Sequence, residues 1–226
     1  MPSRRNIRLV QPMLGMLPEK YLEDTLRYRR TLVEMMLERG MDESLECELV
    51  RRSLLLSPIV ATCGPAGPNA APFMVSYLVK EEYLEEALEK MRDISKKYWG
   101  NPHQAISSAA RFLLDYVYNE DKVDPSRMVS HVMSKGHTWI NIASTGKATL
   151  AFMVPPDKAA YEVRTRASIV ESGGIYEYTN MLHDLMHAVP HGERSHPWYP
   201  AILFEVEEIY DNSYKVLGKR IYPSTS

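Results

Sequence analysis

Residues 161–171 form the most regular stretch of the chain, Tyr-Glu-Val-Arg-Thr-Arg-Ala-Ser-Ile-Val-Glu. Apolar or small side chains stand at every second position, and charged or hydroxyl side chains stand between them. Successive side chains of a strand point to opposite faces, so this period of two predicts a strand over Tyr161–Glu171. One face would carry Tyr161, Val163, Thr165, Ala167 and Ile169 toward a core.

Further strands are predicted on both sides of this stretch. Ile59–Cys63 and Ala71–Val79 are apolar, and they flank the turn cluster Gly64-Pro-Ala-Gly-Pro68. This arrangement predicts a hairpin with a Gly/Pro loop. The other predicted strands are Arg127–Met133, Lys147–Val154, Ala201–Ile209 and Tyr214–Ile221, the last two as a closing pair.

Helical periodicity occupies the start and the middle of the chain. Apolar residues recur at helical spacing from Pro18 to a stop at Gly40. The other predicted helices cover Asp42–Leu56, Lys80–Tyr98, about His103–Tyr118, and Tyr176–Ala188. In the first two helices we expect a solvated face that carries Arg29, Arg30, Arg51 and Arg52.

The order of these elements favours one fold class. The strands are short and seldom alternate with single helices, which argues against a doubly wound parallel sheet. The sequence therefore predicts an α+β protein, an antiparallel β-barrel with helical additions. A polar connector is expected over Asn119–Pro125 and an irregular loop over His191–Pro200.

Composition limits the classes of partner. The 226 residues are 45% hydrophobic and 25% charged, as in ordinary globular proteins, and the formal net charge is −2. That balance gives no overall attraction to nucleic acid or to an anionic membrane. Two cysteines without metal spacing, no signal-peptide pattern and no membrane-length apolar run lead us to expect a cytoplasmic protein.

Two segments carry residues suited to ligand chemistry. The first, Thr62 to Pro72, combines small residues with Asn69, so backbone amides could approach a planar ligand; a plain hairpin loop explains it too. The second is Ser134–Asn141, which we interpret as a phosphate-binding loop. It offers the hydroxyls of Ser134 and Thr138, the cation of Lys135 and the imidazole of His137, although it lacks the spacing of a Walker loop.

The order of these segments resembles the flavin reductase-like branch of the FMN-binding split-barrel proteins, relatives of the pyridoxamine-phosphate oxidases. Gly67-Pro-Asn-Ala-Ala-Pro72 is similar to that branch's turn motif. Gly136-His-Thr-Trp-Ile-Asn-Ile142 with Thr145-Gly146 is similar to its second motif, although Gly136 and His137 stand where Lys and Asp are usual. Lys135 is shifted by one position relative to that lysine.

The resemblance covers about Ser57–Val79 and Pro125–Tyr222. It implies a split β-barrel domain over 57–226, with a helical insertion at about 80–124 and an N-terminal helical segment, 1–56, packed on the barrel. It also implies FMN, or FAD, at a homodimer interface. Ser134, Lys135, His137 and Thr138 would hold the phosphate, while Thr62, Asn69, Ala70 and Ala71 would line the isoalloxazine ring. Asn141 is expected to brace the turn.

The activity that the resemblance implies is a flavin-dependent oxidoreductase. Hydride would pass from NAD(P)H to the flavin and on to a small-molecule acceptor. No acid or base stands out, and His137 and His183 are the candidates for a catalytic residue. A non-catalytic flavin- or haem-binding protein on the same barrel is the first alternative.

A histidine cluster supports a second alternative, a metal-dependent enzyme. His183 and His187 lie four residues apart in a predicted helix, so they would share one face, as a metal site requires. His191 and His196 follow closely. Ordinary surface histidines and contacts to a flavin or substrate are the other interpretations of this cluster.

Overall fold

The fold was analysed in a computed structural model, which describes residues 16–40, 43–51, 53–97, 102–154, 159–187 and 197–223. The described strands form one eight-stranded sheet, in the order β2-β1-β5-β6-β7-β4-β3, with β8 beside β7. Every neighbouring pair is antiparallel, which confirms the predicted α+β class. The strands are β1 (Ile59–Thr62), β2 (Asn69–Pro72), β3 (Ser76–Val79), β4 (Val123–His131), β5 (Lys147–Val154), β6 (Ala159–Val170), β7 (Ala201–Asp211) and β8 (Lys219–Tyr222).

Helices precede, interrupt and flank this sheet. Two helical segments also contain a π-helical turn, Glu23–Arg27 before α2 and Leu113–Val117 after α6. The α-helices are α1 (Glu19–Leu22), α2 (Tyr28–Arg39), α3 (Glu43–Arg51), α4 (Ser53–Leu56), α5 (Glu81–Lys97), α6 (Pro102–Phe112), α7 (His137–Thr145) and α8 (Gly174–Met186). Helix α2 ends at Gly40, whose φ of 74° only glycine adopts readily.

Strand β6 confirms the alternation of side chains from which the strand was predicted. Its Tyr161, Val163, Thr165 and Ala167 are all buried. It pairs with β5 on one side and with β7 on the other, over most of its length. The most regular stretch of sequence is therefore a central strand of the sheet.

The predicted strand Ala71–Val79 is wrong as one continuous element. Its first two residues, Ala71 and Pro72, belong to β2 (Asn69–Pro72), which pairs with β1 as the predicted hairpin, whereas Ser76–Val79 pairs with β4 near the opposite end of the sheet. Proline at position 72 has no N–H for a ladder. The crossover between the two strands is fixed instead by bonds from Phe73 N to Pro58 O and from Val75 N to Leu56 O.

Two other predicted boundaries also need correction. Strand β4 begins at Val123, so the last three residues of the expected connector Asn119–Pro125 are strand, including Pro125. Strand β8 is shorter than predicted, because residues 214–216 form a turn whose Val216 N–H donates to Ser213 O. The expected loop over His191–Pro200 lies partly outside the described residues.

Arg29 corrects the prediction of a solvated arginine face. Its side chain is 2% exposed, and its guanidinium donates to the carbonyls of Leu55 and Val75. The guanidinium carbon lies 5.4 Å from the Tyr77 ring centroid and 6.0 Å from that of Phe152. Within the described residues, this buried cation is stabilised by carbonyl oxygens and aromatic faces.

Arg29→Met should destabilise the fold. Methionine would fill much of the space but leave the Leu55 and Val75 carbonyls buried without donors, so we expect unfolding free energy to fall by about 2–4 kcal/mol. Arg39→Met, at an exposed position of the same helix, should change it by less than about 0.5 kcal/mol. Urea unfolding monitored by circular dichroism measures both; equal stabilities would contradict the buried role.

Candidate functional site

A cleft of about 890 Å³ lies where β2, the following crossover, the end of β4 and the first turn of α7 meet the end of α8. Its walls are mainly apolar, and its polar groups are hydroxyls, amides and imidazoles. The lining residues are Asn69, Ala71, Pro72, Phe73, Met74, Ser130, His131, Val132, Met133, Ser134, Gly136, His137, Thr138, Trp139, His183 and His187.

The predicted loop Ser134–Asn141 is a loop only as far as Gly136. Helix α7 begins at His137, and Ile140 N–H donates to Gly136 O at 3.1 Å. The buried residues of α7 are Thr138, Asn141 and Ile142, which have helical spacing. The spacing is present in the sequence, but two of the three side chains are polar and so do not form an apolar pattern. The helix ends at Gly146, which adopts the left-handed conformation.

Asn141 ties α7 to the β1–β2 hairpin loop. Its side chain is fully buried, and its Oδ1 accepts a hydrogen bond from Ala66 N at 2.9 Å. Its Nδ2 donates to Gly67 O at 2.7 Å and to Thr62 Oγ1 at 3.2 Å. This confirms the prediction that Asn141 braces the turn, and it fixes the helix relative to two strands.

Glycine at position 64 permits this close approach. A Cβ there would lie 2.9 Å from Asn141 Oδ1 and 3.1 Å from Thr145 Cγ2. Both distances are shorter than ordinary van der Waals contacts, so a larger residue would push the hairpin loop from the helix. The Gly/Pro cluster in the sequence therefore serves helix packing as well as the turn.

The first turn of α7 presents polar groups to the cleft. The N-cap residue is Gly136, which has no side chain to cap the helix, and the leading N–H groups of an α-helix have no acceptor within it. Thr138 Oγ1 accepts a bond from Asn69 Nδ2 at 2.6 Å, which leaves its own proton free to point at a ligand. A helix N-terminus with an adjacent hydroxyl is a suitable site for an anion such as phosphate.

The structure brings together five of the eight residues predicted to bind the cofactor. Asn69, Ala71, Ser134, His137 and Thr138 all line the cleft.

The other three predicted residues lie elsewhere. Thr62 is buried behind α7 as a partner of Asn141, and Ala70 alternates to the opposite face of β2. Lys135 is exposed; its Nζ lies 3.7 Å from Glu171 Oε1 and 4.9 Å from the centroid of the Trp139 ring.

Three histidine rings lie next to one another along another part of the cleft. His183 and His187 have ring centroids 4.4 Å apart, which confirms that they share one face at the end of α8. His131, at the end of β4, lies with its ring centroid 4.6 Å from that of His183. Sequence patterns did not single out His131, because it is about fifty residues from the others and reaches them through the sheet.

Helix α8 is held firmly enough to position these rings. The buried Asn180 side chain donates to Tyr199 O at 2.9 Å and accepts from Tyr199 N at 3.0 Å. Tyr178 OH donates to the backbone oxygen of Tyr77 in β3 at 3.2 Å. All three bonds are made by residues of α8 that precede His183.

Burial and charge repulsion both act on His187. Desolvation and the neighbouring His183 lower its pKa below the ordinary value, while Asp184 opposes them. Asp184 Oδ1 lies 3.7 Å from His183 Nδ1. Across the described ranges no group of three or more His, Cys, Asp or Glu side chains is arranged to hold a metal ion; His191 and His196 lie outside them.

A search for membrane-crossing helices, made on the described part of the chain, found none with the necessary length and apolar character.

Comparison with solved structures found chains of low sequence identity that cover most of this one. HupZ of group A Streptococcus is 16% identical, with a TM-score of 0.44 over 77% of this chain and 96% of its own. A protein named after pyridoxamine 5′-phosphate oxidase, from Listeria innocua, is 11% identical, with a TM-score of 0.42 over 74% and 95%. An FMN-binding protein from Syntrophomonas wolfei is 12% identical, with a TM-score of 0.38 over 85% and 91%.

No protein-family model and no curated protein sequence matches the chain.

Asn141→Asp should loosen the junction between α7 and the hairpin loop. Aspartate keeps the acceptor for Ala66 N but loses the donor to Thr62 and turns a carboxylate toward Gly67 O. We expect the unfolding free energy to fall by about 2–4 kcal/mol.

Ser144→Ala, at an exposed position of α7, is the matched control and should change the stability by less than about 0.5 kcal/mol. Denaturant unfolding of both variants provides the measurement. An aspartate variant as stable as the alanine one would show that the Asn141 bonds carry no net stability.

Proposed function

We propose that the cleft binds FMN and that the protein is a flavin-dependent oxidoreductase, which passes hydride from NAD(P)H through the flavin to a small-molecule acceptor. The observation that carries this proposal is the uncapped first turn of α7, opening into an apolar cleft. A phosphate and a flat, largely apolar ring are the two parts of FMN. The cleft offers a suitable environment for each.

The residues at the phosphate end fit a dianion. The leading N–H groups of α7 and the hydroxyls of Thr138 and Ser134 are donors, and the helix dipole favours negative charge. Among the described residues that line the cleft, none is a carboxylate that would repel phosphate.

The remaining walls fit a planar ring. Ala71, Pro72 and Phe73 supply flat or small apolar surface from β2 and the crossover, and Trp139 supplies an aromatic wall on α7. The side-chain amide of Asn69 is fixed by its bond to Thr138. A volume of about 890 Å³ is typical of sites that bury a small molecule or cofactor.

Bound flavin would supply the redox chemistry, namely acceptance and release of a hydride at its ring. The chain's own residues would bind the phosphate, orient the ring against the crossover and exclude water with the apolar walls. No acid or base on the protein is required for hydride transfer itself. The predicted catalytic candidates, His137 and His183, both line the cleft, at α7 and α8 respectively.

Binding of FMN should depend on its phosphate. We expect FMN to bind at least about tenfold more tightly than riboflavin, because riboflavin cannot use the α7 N-terminus. Thr138→Val should reduce this difference, because it removes a hydroxyl donor to the phosphate while the α7 N–H groups remain. Thr31→Val, on the exposed face of α2, should leave both affinities unchanged. Quenching of flavin fluorescence on titration measures the six affinities.

The same FMN-loaded protein tests the activity. NADH or NADPH added without oxygen should bleach the flavin absorbance within seconds, and air should restore it. Equal affinities for FMN and riboflavin, or no binding of either, would overturn the proposed site. If FMN binds but neither NADH nor NADPH reduces it, the protein binds flavin and lacks the proposed activity.

We further propose that two copies of the chain enclose the flavin as a homodimer. The cleft is open, and apolar side chains are exposed on its rim and beside it: Met133 is 69% exposed, Ile140 41% and Met74 38%. An exposed apolar patch of this kind is typical of a surface that another protein covers.

Light scattering on the FMN-loaded protein should give twice the chain mass of 25.9 kDa. Ile140→Glu places a charge on the exposed face of α7, outside the cleft lining, and should shift the mass toward one chain. Lys147→Glu, at an exposed position of β5, is the control and should leave the mass unchanged. A single-chain mass for the unaltered protein would contradict the homodimer.

A further inference from the structure

The ionisable side chains of the cleft are all histidines. Among the described residues that line it there is no aspartate, glutamate, lysine or arginine. The four histidines are His131, His137, His183 and His187. The charge of the lining therefore depends on histidine protonation, which changes in the range of pH 5 to 8.

Three of these four rings form a compact cluster. His183 stands in the middle, with ring centroids 4.6 Å from His131 and 4.4 Å from His187. The rings come from two elements, β4 and α8, so the cluster is built by the tertiary fold rather than by one helix. His137 belongs to α7 and makes no ring contact with them among the described residues.

Asp184 is a charged group beside this cluster: its Oδ1 lies 3.7 Å from His183 Nδ1, and it also acts on His187. From other elements, Arg92 of α5 is paired with Glu85 and Glu177, and Lys135 before α7 lies near Glu171. Both of these cations therefore lie beside carboxylates.

We propose that His131, His183 and His187 form an anion-binding site in the wall of the cleft, which takes the carboxylate or phosphate group of a small-molecule substrate. The site is separate from the α7 N-terminus, to which the flavin phosphate is assigned above. The proposal rests on the proposed function only in assigning the flavin phosphate to α7 and the histidine cluster to the substrate. The substrate class that follows is an anionic acceptor held beside the flavin.

The physical basis is the cost of charging neighbouring imidazoles. Without an anion, the charge on one ring repels charge on the next, and the pKa of His187 lies below its ordinary value. An anion supplies the missing countercharge and raises the pKa values of the rings it contacts. Binding therefore draws in a proton, so affinity for the anion rises as pH falls from about 8 toward 6.

Benzoate is a suitable probe, since it joins a carboxylate to an apolar ring that fits the cleft walls. With the full chain saturated with FMN, titration calorimetry should show benzoate binding about tenfold more tightly at pH 6 than at pH 8. Benzyl alcohol, the uncharged analogue, should show no such change. His183→Gln and His187→Gln should abolish the pH dependence for benzoate while FMN affinity stays unchanged.

His137→Gln is the matched control, a cleft histidine outside the cluster, and at saturating FMN it should keep the pH dependence. The proposal is overturned if benzoate affinity is the same at both pH values, or if the cluster variants keep the dependence. It is also overturned if these variants change the affinity of FMN but not of benzoate, since the cluster would then hold the flavin phosphate. Failure of FMN to bind would refute the proposed function instead, and benzoate titration of the flavin-free chain would still test the cluster.

Discussion

The geometry of the cleft depends on the side-chain amide of Asn141. This buried group accepts a hydrogen bond from Ala66 N and donates to Gly67 O and Thr62 Oγ1. It therefore provides the backbone of a tight loop with hydrogen-bond partners that water would otherwise supply. The bonds fix the start of α7 against β1 and β2. Because Thr138 lies one turn earlier on the same helix, its hydroxyl reaches Asn69 of β2. The anion-binding character of the helix terminus follows from this placement.

The second wall of the cleft depends on a different buried group, the guanidinium of Arg29. Its bond to Val75 O holds the end of the crossover that contains Phe73 and Met74, both in the cleft lining. The N-terminal helix thus contributes to the site without touching it. Aromatic contacts between Tyr21 of α1 and the rings of Phe152 and Tyr161 bind this helical segment to the strands. Together these contacts join the helices and the sheet in one core.

Periodicity in the sequence predicted the parts of the fold where one face of an element is buried. Strand β5 has its predicted bounds, and β6 and α5 nearly so, because their side-chain patterns match the period of their backbone. The sequence patterns gave wrong predictions where tertiary contacts determine the structure. The crossover after Pro72 divides an apolar run that local propensity would keep as one strand, and Arg29 is buried by carbonyls and rings far away in sequence.

The site was predictable to a similar extent. Motif order located Asn69, Thr138 and the bracing role of Asn141, since these lie in short segments. Helix α7 was not predicted, because its hydroxyl and amide side chains hide its helical spacing. His131 was missed because it meets His183 only through the packing of α8 on β4. Such long-range neighbours leave no pattern in a single sequence.

A crystal structure of the protein with FMN would show whether the N-terminus of α7 holds the flavin phosphate. We expect the phosphate within hydrogen-bond distance of Thr138 Oγ1 and the first N–H groups of α7, with the ring against Phe73 and Trp139. Phosphate density beside His183 and His187, or flavin outside the cleft, would contradict it.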